Sequence, residues 1–186
     1  MKLKNILREE ILKERESLAE EDSVIMSKII ENTVMELLET MIPKDKKIVV
    51  GLYCPINGEP DLLGLIKKLN CDVAIPKLWG TKLEFIKYDK DAGFEQSEFG
   101  TLMQPKNNDI THPDIVVLPG IGFNVGGYRL GFGMGHYDRY FGKIDSARNI
   151  IKIGVCFHEN LYETLPQEPH DVQSNYIITN KITIAL

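Results

Sequence analysis

The sequence predicts an α/β fold: a three-layer α/β/α domain with a mainly parallel sheet and N-terminal helices packed on that sheet. Three observations carry the prediction. Short apolar runs recur from residue 47 onward, each closed by turn residues. Some, such as IVVL at 115–118, are apolar at successive positions, which suits strands covered on both faces. Helical patterns are set between these runs, as in a parallel sheet with crossovers. No internal repeat, low-complexity segment or linker interrupts residues 1–186, so a single domain is expected.

The elements follow in order. Leu3, Leu7 and Ile11 repeat every four residues with Ile6 beside them, predicting an amphipathic helix whose apolar stripe faces the protein. Lys4 and Arg8, also four apart, project together from another face, which on its own reads as a solvated surface. Ser17 to Glu20 (SLAE) fits a capping box opening a second helix. Ile25, Ile29, Ile30, Val34, Leu37, Leu38 and Met41 carry that helix until Pro43 stops it. Strands are predicted at 47–55, 72–76, 82–88, 114–119 and 150–157, with a terminal strand or hairpin at 176–186 turning at Asn180. Residues 61–69 read as helix, and another helix begins near His136. The polar stretch 89–112 reads as a surface loop or lid.

Composition narrows the function. Net charge is −5, with 43% hydrophobic and 26% charged residues, ordinary for a soluble globular protein. No dense Lys/Arg run is present to track phosphates, so nucleic acid is not an expected partner. The N-terminus is too charged for a secretory signal, and no apolar run reaches the roughly 18 residues of a membrane span. A cytoplasmic protein without a membrane partner is expected. Cys54, Cys71 and Cys156 are odd in number and lie in or beside apolar runs, as buried thiols in a reducing compartment do. His112, His158 and His170 lack the spacing of a zinc site.

The chemistry concentrates between residues 116 and 141, VVLPGIGFNVGGYRLGFGMGHYDRYF. Seven of the 15 glycines fall between Gly120 and Gly135. DIVVLPG is a buried strand whose carboxyl end breaks at Pro119-Gly120, the edge where open α/β sheets bind ligands. Gly131, Gly133 and Gly135 alternate just before a helix, and bare backbone N–H groups ending at a helix N-terminus form a nest for an anion such as phosphate. Arg129 could clamp a phosphoryl oxygen, and Asp138 in the first helical turn could hold a Mg²⁺ that bridges phosphates. The stretch lacks both G-K-[S/T] and correct G-x-G-x-x-G spacing. The residues alone therefore lead to a phosphate-ligand enzyme of α/β type. A phosphate-ligand isomerase or transferase with Glu59 as its base, and a non-catalytic nucleotide-sensing module, are the alternatives.

GYRLGFGMGHYDRYF (127–141) resembles the G-x-R-L-G-x-G-x-G-Y-Y-D-R signature of the 5-formyltetrahydrofolate cyclo-ligase family, the methenyltetrahydrofolate synthetases. The resemblance extends to KNILR (4–8), YCPINGEPDL (53–62), LPGIGFN (118–124) and EPHDV (168–172). It implies a ligase that uses ATP and Mg²⁺ to close 5-formyltetrahydrofolate to 5,10-methenyltetrahydrofolate, releasing ADP and phosphate through a phosphorylated formyl intermediate. Lys4, Asn5, Ile6, Leu7 and Arg8 would line the ATP phosphates, with Arg8 also near the folate and, like Arg129, catalytic. Arg129, Leu130, Gly131, Phe132, Gly133, Met134, Gly135, His136 and Tyr137 would form the nucleotide loop. Cys54, Glu59, Phe132, Gly133, Met134, Gly135 and His136 would touch the folate. Asp138 and Asp171 would be the Mg²⁺ carboxylates. A monomer is expected. His136 replaces the first Tyr of the signature pair, Met134 stands where a small or basic residue is usual, and QPK (104–106) replaces the usual Glu-Pro.

Overall fold

The computed structural model describes residues 2–43, 45–91, 93–96, 102–103, 109–144 and 148–186. In chain order the elements are α1 (Lys2–Glu16), α2 (Glu20–Met41), β1 (Val49–Gly51), α3 (Leu65–Lys68), β2 (Asp72–Trp79) and β3 (Lys82–Lys87). There follow β4 (Glu95–Gln96), β5 (Leu102–Met103), β6 (Ile110–Thr111), β7 (Ile115–Pro119), β8 (Gly122–Asn124) and β9 (Arg129–Leu130). The last part holds α4 (His136–Ile144), β10 (Ile151–Val155), a 3₁₀ turn (His158–Asn160), β11 (Leu161–Tyr162), β12 (Tyr176–Ile178) and β13 (Thr183–Ala185).

The main sheet has the order β13-β12-β10-β7-β1-β2-β3-β6. Its five inner strands, β12 through β2, are parallel, and antiparallel strands close both edges. The chain builds β1 and β2 outward, then returns past β1 to lay down β7, β10 and β12. The order therefore reverses between β1 and β7, and the crevice beyond their carboxyl ends is the topological switch point.

The alternation of strand side chains separates two cores. Ile115 and Val117 of β7 face one layer, where Ile30, Val34 and Leu38 of α2 and Leu65 and Ile66 of α3 cover the sheet. Val116 and Leu118 face the other, against Tyr140 and Phe141 of α4. This is the α/β/α sandwich expected from the apolar runs. A small sheet, β11-β8-β9, sits beyond the end of β7, and α1 packs there: Ile11 meets Ile121, Leu130 and Leu165. Of the two N-terminal helices, α2 lies on the main sheet and α1 on this annex.

Four local expectations are corrected. The apolar stripe of α1 docks only in part: Leu7 and Ile11 pack on the annex, but Leu3 and Ile6 are 60% and 45% exposed, while Lys4 and Arg15, from outside the stripe, are buried. Positions 4, 8, 11 and 15 share one side of a helix, and the annex presents carbonyls and carboxylates that suit cations. Ser17 does not cap α2; its hydroxyl donates to the Glu14 carbonyl (2.6 Å), because α1 is still unwinding there. Ala19 is the N-cap, and Glu20, Glu21 and Asp22 complement the helix dipole instead. The 61–69 helix shrinks to Leu65–Lys68, since Asp61 Oδ1 takes the Leu63 N–H (2.9 Å) in a local turn. Within 89–112, the antiparallel pair β4 and β5 and strand β6 add regular structure, while QPK (104–106) lies outside the described residues. The terminal hairpin forms as anticipated, with the Thr179 N–H bonded to the Ile182 carbonyl (2.9 Å) around Asn180.

Candidate active site

The switch point gathers four pieces of chain. The first is the segment leaving β1. Asn57 and Gly58 both have positive φ (48° and 71°), and the Glu59 N–H returns to the Ile56 carbonyl (3.0 Å). Two left-handed central residues make a tight turn that suits Asn-Gly. The turn folds Glu59 inward, where it is 6% exposed and its Oε2 accepts the Ile56 N–H (3.1 Å). Burial pushes its carboxyl up to about 7, against that hydrogen bond and the positive charges of Arg15 and Arg129. Cys54, half-buried, has its thiol pushed up to about 12 by burial, so it is no nucleophile.

The second piece is the glycine loop. Gly133 (φ 93°) and Gly135 (φ 60°) occupy the left-handed region, which is why glycine recurs there. Among the described residues, no hydrogen bond is donated by the N–H groups of residues 131–135. The amides of the nest are thus free to meet an anion, just ahead of the N-terminus of α4. Arg139 anchors the loop's far side, donating to the carbonyls of Met134 (2.7 Å) and Thr81 (3.0 Å). His136 Nδ1 lies 3.1 Å from the same Thr81 oxygen, so this ring is tied to the β2–β3 turn. Met134 is 60% exposed.

The third piece is α1. Arg8 Nε donates to the Gly131 carbonyl (2.7 Å), its NH1 donates to Asn5 Oδ1 (2.6 Å), and its guanidinium lies over Gly133. Any Cβ at Gly133 would come within 3.3 Å of Arg8 Cζ. Leu7 joins Ile11 and Phe132 in the apolar contact with the annex, while Ile6 points outward. Lys4 reaches the fourth piece, the loop 168–172, donating to Asp171 Oδ2 (2.7 Å) and Glu168 Oε2 (3.1 Å). Burial alone would lower the Lys4 pKa, but hydrogen bonds and charge from Asp171 and Glu168 outweigh it and the net shift is upward.

Arg129 and Asp138 meet each other. Arg129 NH2 donates to Asp138 Oδ2 (2.9 Å), and its guanidinium lies 4.9 Å from the centre of the Tyr137 ring. The Val172 N–H approaches Asp138 Oδ1 (3.4 Å), which draws Asp138 beside the Asp171 loop. The cations expected for phosphate and the carboxylates expected for metal are therefore paired in two sets, Lys4–Asp171 and Arg129–Asp138. Arg129 is drawn inward, its side chain only 7% exposed, and does not reach outward from the loop.

Sequence reasoning missed Glu168, which with His170 and Asp171 offers ligand atoms within 4.8 Å of one another. It missed Arg139, and it missed Arg15, whose place at the end of the 4, 8, 11, 15 spacing was the available signal. A metal is tested by donor chemistry: Asp138, Asp171 and Glu168 are oxygen donors, and a hard cation such as Mg²⁺ fits them.

Fold and site together define a doubly wound α/β protein whose glycine loop and two cation–carboxylate pairs lie at its switch point, the edge where open α/β sheets bind ligands. The model of the 5-formyltetrahydrofolate cyclo-ligase family matches residues 1–180, and the chain belongs to that family. A 5-formyltetrahydrofolate cyclo-ligase of Mycoplasma pneumoniae is 30% identical over 183 residues, 96% of this chain and 99% of the relative. One from Haemophilus influenzae is 31% identical over 153 residues, 76% of this chain and 81% of the relative. Among solved structures, the 5,10-methenyltetrahydrofolate synthetase of Aquifex aeolicus superposes with a TM-score of 0.82 at 30% identity, covering 98% of this chain and 92% of that one. The Mycoplasma pneumoniae synthetase superposes with a TM-score of 0.70 at 27% identity, covering 96% and 99%.

Proposed function

We propose that this protein is a 5-formyltetrahydrofolate cyclo-ligase, closing the 5-formyl group onto N10 to give 5,10-methenyltetrahydrofolate while ATP becomes ADP and phosphate. The observation that carries the reading is the glycine loop at the switch point: free amides at residues 131–135, backed by Arg8 and Arg129, beside a buried carboxylate, Glu59.

The chemistry asks for what this set supplies. A formamide oxygen is a poor leaving group, so it first attacks the γ-phosphorus of ATP and ADP departs. N10 then adds to the formyl carbon and gives up its proton, and the oxygen leaves with that proton as hydrogen phosphate. Phosphoryl transfer of this kind depends on positioning and charge neutralisation more than on a protein nucleophile. Free loop amides provide fixed dipoles for the phosphate oxygens, while Arg8 and Lys4 approach from α1 and Arg129 from β9. Asp138 and Asp171, with Glu168, would hold Mg²⁺, which when bound neutralises phosphate charge. Lys4 and Arg129 neutralise those carboxylates here, and beside a bound Mg²⁺ both would add positive charge near the phosphate oxygens. Glu59 accepts hydrogen bonds from the folate ring, which its inward turn positions next to the loop. Holding N10 against the formyl carbon makes ring closure intramolecular, worth roughly 7 kcal/mol or more in well-aligned cases. Met134 and His136 shape the loop's outer rim.

The test mixes purified protein with 5-formyltetrahydrofolate, ATP and Mg²⁺ and follows the near-ultraviolet absorbance of the methenyl product. Product that appears only with ATP, in step with ADP, is expected. Absence of ATP-dependent product from folded protein overturns the reading.

A further inference from the structure

Arg15 is a buried guanidinium outside the set of residues given a role above. It is 7% exposed, and its stem packs against Gly58, the neighbour of Glu59. Its Nε donates to Asn160 Oδ1 (3.0 Å), and its NH2 donates to the carbonyls of Gly120 (2.6 Å) and Ile121 (2.7 Å), where β7 ends and the glycine-rich stretch starts. Its NH1 is buried with no hydrogen-bond partner. Among the described residues no carboxylate lies within ion-pair distance of it.

An unpaired cation held in the interior is costly, and a structural bolt needs only neutral donors. What the charge faces explains its presence: the Arg15 stem lies against Gly58 in the turn that carries the buried Glu59, and the two opposite charges attract each other there. We infer that Arg15 is a positioning residue of the folate site, tying α1 to the end of β7 and setting a buried positive charge behind the turn that presents Glu59 to the donor edge of the folate ring. This rests on the cyclo-ligase reading and extends it. A folate's pyrimidine edge presents an amino group and a ring N–H, and an ionised carboxylate accepts both, whereas a protonated one does not. The other groups facing Glu59 are Arg129 from β9, Tyr53 from the segment after β1 and Tyr137 from α4; Asp61, on its own loop, faces Tyr53. Both tyrosine hydroxyls are held neutral by burial, so Arg15 and Arg129 are the two cations that oppose protonation of Glu59.

The experiment compares the wild type with Arg15→Gln and Arg15→Lys across pH 5.5 to 8.5. Turnover by the wild type comes first; if that fails, the cyclo-ligase reading has failed and not this inference alone. In Arg15→Gln the acidic limb of kcat/KM for 5-formyltetrahydrofolate should move up by about half a pH unit or more, and KM for the folate at pH 7 should rise at least about threefold with KM for ATP little changed. Arg15→Lys should return the limb close to its wild-type position. A folded Arg15→Gln with a wild-type limb overturns the inference, and so does an equal loss in both variants. Should Arg15→Gln not fold, calorimetric binding of 5-formyltetrahydrofolate to the wild type, without ATP, decides: affinity should strengthen as pH rises through 7, and a flat profile overturns the idea.

Discussion

Replacing Glu59 by Gln should make the protein more stable at pH 8 while weakening its hold on folate. Glu59 is 6% exposed, and burial lifts its carboxyl from an ordinary 4.5 to about 7 despite the Ile56 N–H and the two arginine charges. A pKa raised on folding means that the folded chain binds the proton more tightly than the unfolded one. The penalty is therefore absent well below pH 4.5, grows as pH rises from 4.5 to 7, and is complete above 7. At about 1.4 kcal/mol for each tenfold change in proton affinity, it reaches roughly 3 kcal/mol at pH 8 and falls below about 1 kcal/mol at pH 5. Gln keeps the shape, its carbonyl can still accept the Ile56 N–H, and it carries no charge to desolvate. Urea denaturation should show Glu59→Gln gaining about 2–3 kcal/mol at pH 8, or roughly 5–10 °C in Tm, and little at pH 5. The same variant should have a raised KM for 5-formyltetrahydrofolate. A stability change equal at the two pH values, or a loss at pH 8, would refute the account of Glu59 as a buried, frustrated carboxylate.

Further outcomes follow from the loop and its ion pairs. Arg129→Ala should lower turnover at least tenfold, the effect of losing about 1.4 kcal/mol of transition-state charge contact; unchanged kinetics in a folded variant would put the phosphates elsewhere. Asp138→Asn should raise the Mg²⁺ concentration needed for half-maximal activity, and an unaltered Mg²⁺ titration would count against Asp138 as a ligand. Gly133→Ala places a Cβ at φ 93° and 3.3 Å from Arg8 Cζ, so strain of about 1–3 kcal/mol should appear as a raised KM for ATP with the fold intact. A wild-type KM there would show that the loop does not need its present path.

The legible parts of this protein were those governed by neighbours in the chain. Strand β7 declared itself because IVVL is apolar at every position and β-branched at three of four, which suits a short strand with two covered faces. The loop declared itself because Gly133 and Gly135 sit where side chains are disfavoured. The helix at His136 and the hairpin around Asn180 were read the same way. Less legible was α1. Its apolar periodicity found Leu7 and Ile11, which do dock, but it gave no sign that Lys4, Arg8 and Arg15 dock beside them, because carbonyls and carboxylates wait across that part of the interface.

The sequence by itself determined the sandwich, the location of the glycine loop and, through its long signature, the family. Only the tertiary structure decided which charge meets which. Lys4 finds Asp171 across 167 positions, Arg15 finds Asn160 across 145, and Glu59 is enclosed by a turn whose walls come from distant segments. Local backbone preference acts over a few residues and leaves a pattern in the string. Electrostatic pairing and desolvation act through space, and they leave none until the sheet has brought their partners together.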